Sequence, residues 1–248
     1  MCAIDLNCDL GEGYPDDAEL MSIVTSANIA CGGHAGDEST MAATVRLAIE
    51  NRVAIGAHPG FRDKANFGRT YQTLSQYEIT DLVAEQLTLL RDIAEKQEGC
   101  VSHVKPHGAL YNRAADDAGA AAAIVKAVNA VDPSLILFGL AGSMLVTEGK
   151  NAGLRIVSEA FADRRYSAAG RLASRSIEGA VIDDAAVAAE QALKIAKREP
   201  IKTIDGEEIV IDAETICLHG DGITAVSTAR LIRTFLEDNG IEVRSYIL

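Results

Sequence analysis

Along nearly every strand-like run of this chain, one of the two faces is polar. Side chains alternate sides along a strand, so residues of equal parity share a face. Asp5, Asn7 and Asp9 therefore oppose Ile4, Leu6 and Cys8. His103, Lys105 and His107 oppose Val104, and Glu159, Phe161 and Asp163 oppose Ala160 and Ala162. Cys217, His219 and Asp221 likewise oppose Ile216 and Leu218. Seven such runs, near 3–9, 26–33, 52–57, 101–106, 135–140, 155–161 and 214–219, each lead through a loop into a helical pattern. An open sheet covered by helices on both sides is apolar on both faces. A barrel whose lumen holds a site can be polar inside and apolar outside. The expected fold is thus α/β, a TIM-like parallel β/α barrel of seven strands.

Helix signals support this rhythm. Ser75 and Glu78 have capping-box spacing before a periodic run from Ile79 to Ile93, and Asp183 and Asp184 precede an Ala-rich helix ending near Arg198. Further helices are expected near 17–25, 39–50, 117–130, 143–151 and 224–238, with a strand-like tail at 241–247. Asp205-Gly206 signals a hairpin over 202–211 that decorates the barrel rim. With no linker, repeat or low-complexity tract beyond an Ala-rich stretch, residues 1–248 read as one domain.

The net charge of -13 argues against nucleic acid and anionic membrane as partners. No apolar run is long enough to span a bilayer, and Asp5 and Asp9 would interrupt a signal peptide, so the chain reads as cytoplasmic. Five cysteines without a C-x-x-C pair suit reduced thiols rather than a disulfide framework.

In α/β barrels ligands sit at the C-terminal ends of the strands. Four of the five histidines, His34, His58, His107 and His219, fall at such ends, beside Asp9, Glu12, Lys105, Asp163 and Asp221. A single histidine there is often only a hydrogen-bonded scaffold residue; the convergence of four is what points to a site. Asp9, His58, Lys105, His107, His219 and Asp221 are the catalytic candidates. The residue types suit general acid–base work, and Asp9, His58, His107 and Asp221 would also suit a divalent metal. Cys31 near His34 is a further, lesser candidate for a nucleophile. Arg164, Arg165, Arg171 and Arg175 crowd one loop of an acidic chain and read as an anion clamp, with Arg62, Lys64 and Arg69 adding to the same side. Asn7, Glu12, Asn28, His34 and Asp163 join Arg164 and Arg165 as candidate substrate contacts. Asp37 suits a helix cap, as do Asp116 and Asp117. Neither a P-loop nor a G-x-G-x-x-G occurs, so ATP, if used, needs an unconventional site or another chain.

The strings DLNCDLGEG (5–13), SANIACGGHAGD (26–37), GAHPGF (56–61), VKPHGALYN (104–112), GLAGS (139–143), EAFADRRY (159–166) and ICLHGD (216–221) resemble the signature blocks of the LamB/YcsF family. The resemblance implies a distorted seven-stranded β/α barrel of the glycoside hydrolase/deacetylase type. It also implies a part in a 5-oxoprolinase, the ATP-dependent opening of 5-oxo-L-proline or a related lactam to L-glutamate, with two further subunits, B and C. Thr70 after Phe67-Gly68-Arg69, where a second Arg is common, and Glu38 after Asp37, where Pro is common, depart from the pattern. Two rival readings stay open: a metal-dependent hydrolase of the deacetylase kind, and a lactam-binding subunit without catalysis of its own.

Overall fold

The computed structural model describes residues 2–220 and 224–246. Asp221, a catalytic candidate, lies outside the described residues. In chain order the strands are β1 (Cys2–Leu10), β2 (Ser26–Ala30), β3 (Ala54–His58), β4 (Val101–Val104), β5 (Ile136–Leu140), β6 (Arg155–Phe161), β7 (Ile201–Lys202), β8 (Glu208–Ile209), β9 (Thr215–Leu218) and β10 (Ile241–Val243). The helices are α1 (Asp17–Met21), α2 (Glu38–Asn51), α3 (Gln76–Glu95), α4 (Gly108–Asp116), α5 (Ala118–Val131), α6 (Met144–Asn151), α7 (Ala185–Ala196) and α8 (Ala225–Asp238). Strands β1 to β6 pair in sequence, all parallel, and β9 pairs with both β6 and β1, which closes a seven-stranded barrel. The described part of the tail contributes β10, which adds to the N-terminal end of β1 outside the ring.

The polar parity is the lumen. Asp5, Asn7, Asn28, His103, Lys105, Glu159 and Thr215 are all buried inside the barrel wall, while Ile4, Leu6 and Leu10 on the other face of β1 join the apolar cluster under the helices. Buried polar groups are tolerated only when bonded, and here they bond one another. Asp5 accepts from Thr25 Oγ1 and Ser26 Oγ, each at 2.7 Å, and from Thr215 Oγ1. Burial raises its carboxyl above the usual value, against these three hydroxyl bonds. Lower in the lumen His103 Nε2 bonds Asn28 Oδ1 at 3.0 Å, and its ring stacks on Phe138, with centroids 4.3 Å apart. Burial, then the charge of Lys105, pushes this imidazole down to about 3. Gly56 makes room for it: a Cβ there would lie 2.0 Å from His103 Nε2. Gly56→Ala is accordingly expected to lower stability by about 1–3 kcal/mol, read as a shift in chemical-denaturation midpoint at constant slope.

The expected capping box at α3 forms: Ser75 Oγ accepts from Glu78 N, and Glu78 accepts from Ser75 N at 2.7 Å. Asp37 caps α2, Asp117 caps α5 and Asp184 caps α7. Helix α4 is an addition to the expected elements. It follows Pro106, has no side-chain cap, and opens on Gly108 at φ +54°, a position that L side chains rarely adopt. The hairpin at the rim is smaller than expected: β7 and β8 pair over two residues each, around a turn from Thr203 to Glu207. It buttresses the long loop after β6, since Ile204 N donates to Tyr166 O at 2.8 Å and Ala168 N to Asp205 Oδ2 at 3.1 Å. No helix among the described residues is long and apolar enough to cross a membrane.

Candidate active site

A cavity of about 430 Å³ opens at the C-terminal end of the barrel, a size that suits a small ligand. Asp9, His58, Lys105, His107 and His219 line it, together with Arg69, Arg164, Arg171 and Arg175. Five of the six catalytic candidates therefore meet in one space, and the sixth is Asp221.

Lys105, the last lumen residue of the β4 segment, is 2% exposed and its ammonium is fully engaged. Nζ reaches Asp9 Oδ1 at 2.9 Å, Glu159 Oε1 at 3.0 Å, Asn7 Oδ1 at 3.3 Å and Cys217 Sγ at 2.9 Å. Burial alone would lower its pKa, but Asp9, Cys217 and Glu159 outweigh it and hold the ammonium well above its usual value. Burial would likewise raise Asp9, yet the charges of His58 and Lys105 hold its carboxyl well below the usual carboxylate range. Asn28 Nδ2 donates to Asp9 Oδ1 at 2.9 Å and to Asn7 Oδ1 at 2.8 Å. Asn7 Nδ2 donates to Glu159 Oε1 at 3.0 Å and Thr215 Oγ1 at 2.7 Å. Asn7 and Asn28, expected at the substrate, do not line the cavity; they orient Asp9 and Lys105 from beneath.

On the other side of Asp9, its Oδ2 lies 3.2 Å from His58 Nε2. His58 Nδ1 donates to the Lys105 carbonyl at 2.7 Å, and His107 Nε2 donates to the Phe67 carbonyl at 2.9 Å. Burial, then His58 and His34, pushes His107 well below its usual value, so the ring is neutral. His34 stacks on His107 and meets Glu12 Oε1 at 3.1 Å through Nε2. Burial, then His58, pushes it down to about 2. Glu12 and His34 thus stand behind the cavity wall rather than on it.

Across the cavity His219 Nδ1 bonds Asp163 Oδ2 at 2.7 Å, and the same oxygen accepts from His219 N at 3.2 Å. A carboxylate on Nδ1 fixes that nitrogen as the donor, so that Nε2 is the nitrogen that takes up and gives back a proton. Burial would raise Asp163, but His219's charge and hydrogen bonds hold it below the usual carboxylate range. This is the arrangement of an oriented general base.

The arginines divide. Arg171 pairs with Asp116 at 2.6 Å, and Arg62 pairs with Glu85 on the surface. Lys64 Nζ donates to Gly36 O at 2.7 Å, and Arg165 lies off the cavity lining. Of the loop after β3, only Arg69 reaches the cavity. Arg164 differs from the rest: it is 5% exposed, its Nη2 donates to Ala173 O, and its Nε is buried without a partner. Burial, then Arg175, lowers its guanidinium to about 10, which leaves it cationic at neutral pH. It forms no ion pair among the described residues, and a buried charge in that state favours an anionic ligand.

Two residues of the site fall outside the set expected from sequence. Glu159 holds Lys105 and accepts from Tyr111 Oη at 2.6 Å, and Tyr111 sits on the additional helix α4. A lone acid at lumen parity inside the run IVSEAF is the signal for Glu159. Cys31 is no nucleophile here: its thiol is buried, donates to Ile29 O at 3.2 Å, makes no bond to His34, and is pushed up to about 12 by burial.

The LamB/YcsF family model matches residues 4–247. The chain is 46% identical to the A subunit of 5-oxoprolinase from Tolumonas auensis, over 99% of this chain and all of that one. Its fold superposes on the lactam utilization protein of Thermus thermophilus with a TM-score of 0.92 and 41% identity, over 98% of this chain and 100% of the other. A peptidoglycan deacetylase, PdaC, of Bacillus subtilis shares the fold alone, with a TM-score of 0.50 and 11% identity over 98% of this chain and 87% of that one.

Proposed function

The chain belongs to the LamB/YcsF family, and from that membership we propose that it is the ring-opening subunit of an ATP-dependent 5-oxoprolinase. The overall reaction takes 5-oxo-L-proline, water and ATP to L-glutamate, ADP and phosphate, in concert with two further subunits, B and C. The observation that carries this reading is one cavity with carboxylate-held imidazoles on both sides and, at its rim, a buried Arg164 without a counter-ion among the described residues.

The chemistry follows from those parts. A five-membered lactam is a stable amide, so transfer of the terminal phosphoryl group of ATP to the amide oxygen makes the ring carbon a better electrophile. With no P-loop in this chain, that transfer is assigned to a partner subunit. Water, held on the Asp9–His58 side, adds to the ring carbon as its proton passes to the lone pair of His219 Nε2. The C–N bond breaks as the ring nitrogen gains a proton from His219, which leaves an acyl phosphate; a second water releases phosphate and glutamate. Lys105 keeps Asp9 anionic, and Arg164 receives the carboxylate or the phosphoryl group.

Arg164→Gln should raise KM roughly 10- to 100-fold with kcat within a few-fold, because the lost charged hydrogen bonds act on binding. Stability should be kept, since an uncompensated buried charge is removed. The function itself is tested by glutamate and ADP formation from 5-oxoproline, by this chain alone and with its partner subunits. Coupled formation that requires this chain supports the reading. Lactam binding without any turnover that depends on His219 or Asp9 would leave a binding subunit instead.

A further inference from the structure

Behind the cavity floor lies a group of four atoms, each able to act as an acceptor. A carbonyl oxygen only accepts, so His58 Nδ1 and His107 Nε2, which face the carbonyls of Lys105 at 2.7 Å and Phe67 at 2.9 Å, both carry hydrogens. A ring that carries only this hydrogen has a lone pair on its other nitrogen, Nε2 of His58 or Nδ1 of His107. These two nitrogens face each other at 2.9 Å. Two carboxylate oxygens lie beside them. Asp9 Oδ2 is 3.2 Å from His58 Nε2, and Glu12 Oε1 is 4.0 Å from it and 3.5 Å from His107 Nδ1.

Such a gathering of acceptor atoms attracts a cation. A proton on His58 Nε2 is a single donor; it reaches His107 and Asp9 but not Glu12 Oε1, which is 4.0 Å away. One metal ion would serve His58, His107 and Glu12 at once, with Asp9 Oδ2 3.2 Å from His58 Nε2 beside them. From this geometry we propose that Glu12, His58 and His107 bind a divalent transition-metal ion of the zinc kind, with Asp9 at its side.

The spacing fits. Metal–ligand bonds of roughly 2.0–2.2 Å set ligand atoms about 3.0 Å apart in an octahedron and about 3.3–3.6 Å apart in a tetrahedron. The separations here, 2.9 to 4.0 Å, bracket those values. Mixed imidazole and carboxylate donors suit zinc and its neighbours in the first transition row. Each histidine also gives its other N–H to a backbone carbonyl, the support that orients a ligating imidazole.

His34 stays outside the ligand set, although a ring nitrogen of it lies within 4.8 Å of ligand atoms of Glu12, His58 and His107. Its ring is parallel to His107, with centroids 3.6 Å apart and planes 5° apart. Lone pairs lie in the ring plane, so two rings stacked in this way do not aim at one ion. His34 instead meets Glu12 Oε1 at 3.1 Å and holds that carboxylate in place.

Asp9, His58 and His107 also line the cavity, so an ion there has an open side toward substrate. When bound, it would acidify a water ligand toward neutral pH. Only that role rests on the proposed oxoprolinase function; binding itself does not.

The test is metal binding by the full chain, stripped with chelator and dialysed against micromolar Zn²⁺ or Co²⁺, read by elemental analysis and by the visible spectrum of Co²⁺. About one equivalent per chain is expected. In Glu12→Gln and His107→Gln, both checked for native circular dichroism, binding should weaken roughly tenfold or more. His219→Asn, across the cavity, should keep the full equivalent. Folded wild-type protein that takes up no metal overturns the proposal, as does binding that both cluster variants retain unchanged. Full glutamate formation by metal-free protein in the assembled enzyme would overturn the ion's part in the reaction and leave the oxoprolinase reading intact. Stoichiometric metal without any glutamate formation would do the reverse.

Discussion

Lys105→Met should destabilise the protein by about 3–5 kcal/mol at neutral pH, the effect of removing one partner from a buried charge network. In a chain of this size that corresponds to a fall in Tm of roughly 6–20 °C. The substitution keeps the volume of the aliphatic stem, so packing is not the cause. What is lost is the one cation among Asp9, Glu159 and Asn7, with separations of 2.9, 3.0 and 3.3 Å. The pH dependence of the deficit identifies this cause. In the wild type Asp9 is held below its unfolded value, so it contributes stability above about pH 4 that is lost as pH falls. In the variant one of the two compensating charges is gone and burial moves the Asp9 carboxyl upward. A folded-state value above the unfolded one makes the folded state bind more protons, so stability rises as pH falls. The gap between variant and wild type should therefore narrow from pH 7 to pH 4. A gap of constant size across that range would mean that Lys105 acts through packing alone.

His219→Ala should lower kcat for glutamate formation roughly 10²- to 10⁴-fold, with KM little changed, as expected for loss of a group that moves a proton. Asp163→Asn should reproduce much of that loss. An amide can offer its NH₂ to Nδ1 and turn the imidazole into the wrong tautomer, with no lone pair on Nε2. The 2.7 Å contact makes the two residues one unit, so the double variant should lose little more than His219→Ala. Full kcat in Asp163→Asn would show that the imidazole needs no orientation by this carboxylate. Additive losses would show that the two residues act separately.

The barrel was legible because strand parity is a local property. Asp5, Asn7 and Asp9 alternate with Ile4, Leu6 and Cys8, and a polar and an apolar face are both buried when the sheet closes around the polar one. The capping box at Ser75 and the caps at Asp37, Asp117 and Asp184 were readable for the same reason: each spans only a few residues. So was the shared location of His58, His107 and His219, since strand ends follow from strand boundaries.

The roles within that location were not local. Lys105 and Glu159 stand 54 positions apart in sequence yet 3.0 Å apart in space, and parity says only that both point inward. Whether an arginine is an anion receptor depends on which carboxylates reach it: Arg171 found Asp116, Arg62 found Glu85, and Arg164 found none among the described residues. By itself, then, the sequence determined a closed β/α barrel with a polar lumen and a site at its C-terminal mouth. The tertiary structure alone decided which of those polar groups saturate one another and which are left facing a ligand. Hydrogen bonds and ion pairs act over about 3 Å, and only the closed barrel brings strands so distant in sequence within that reach.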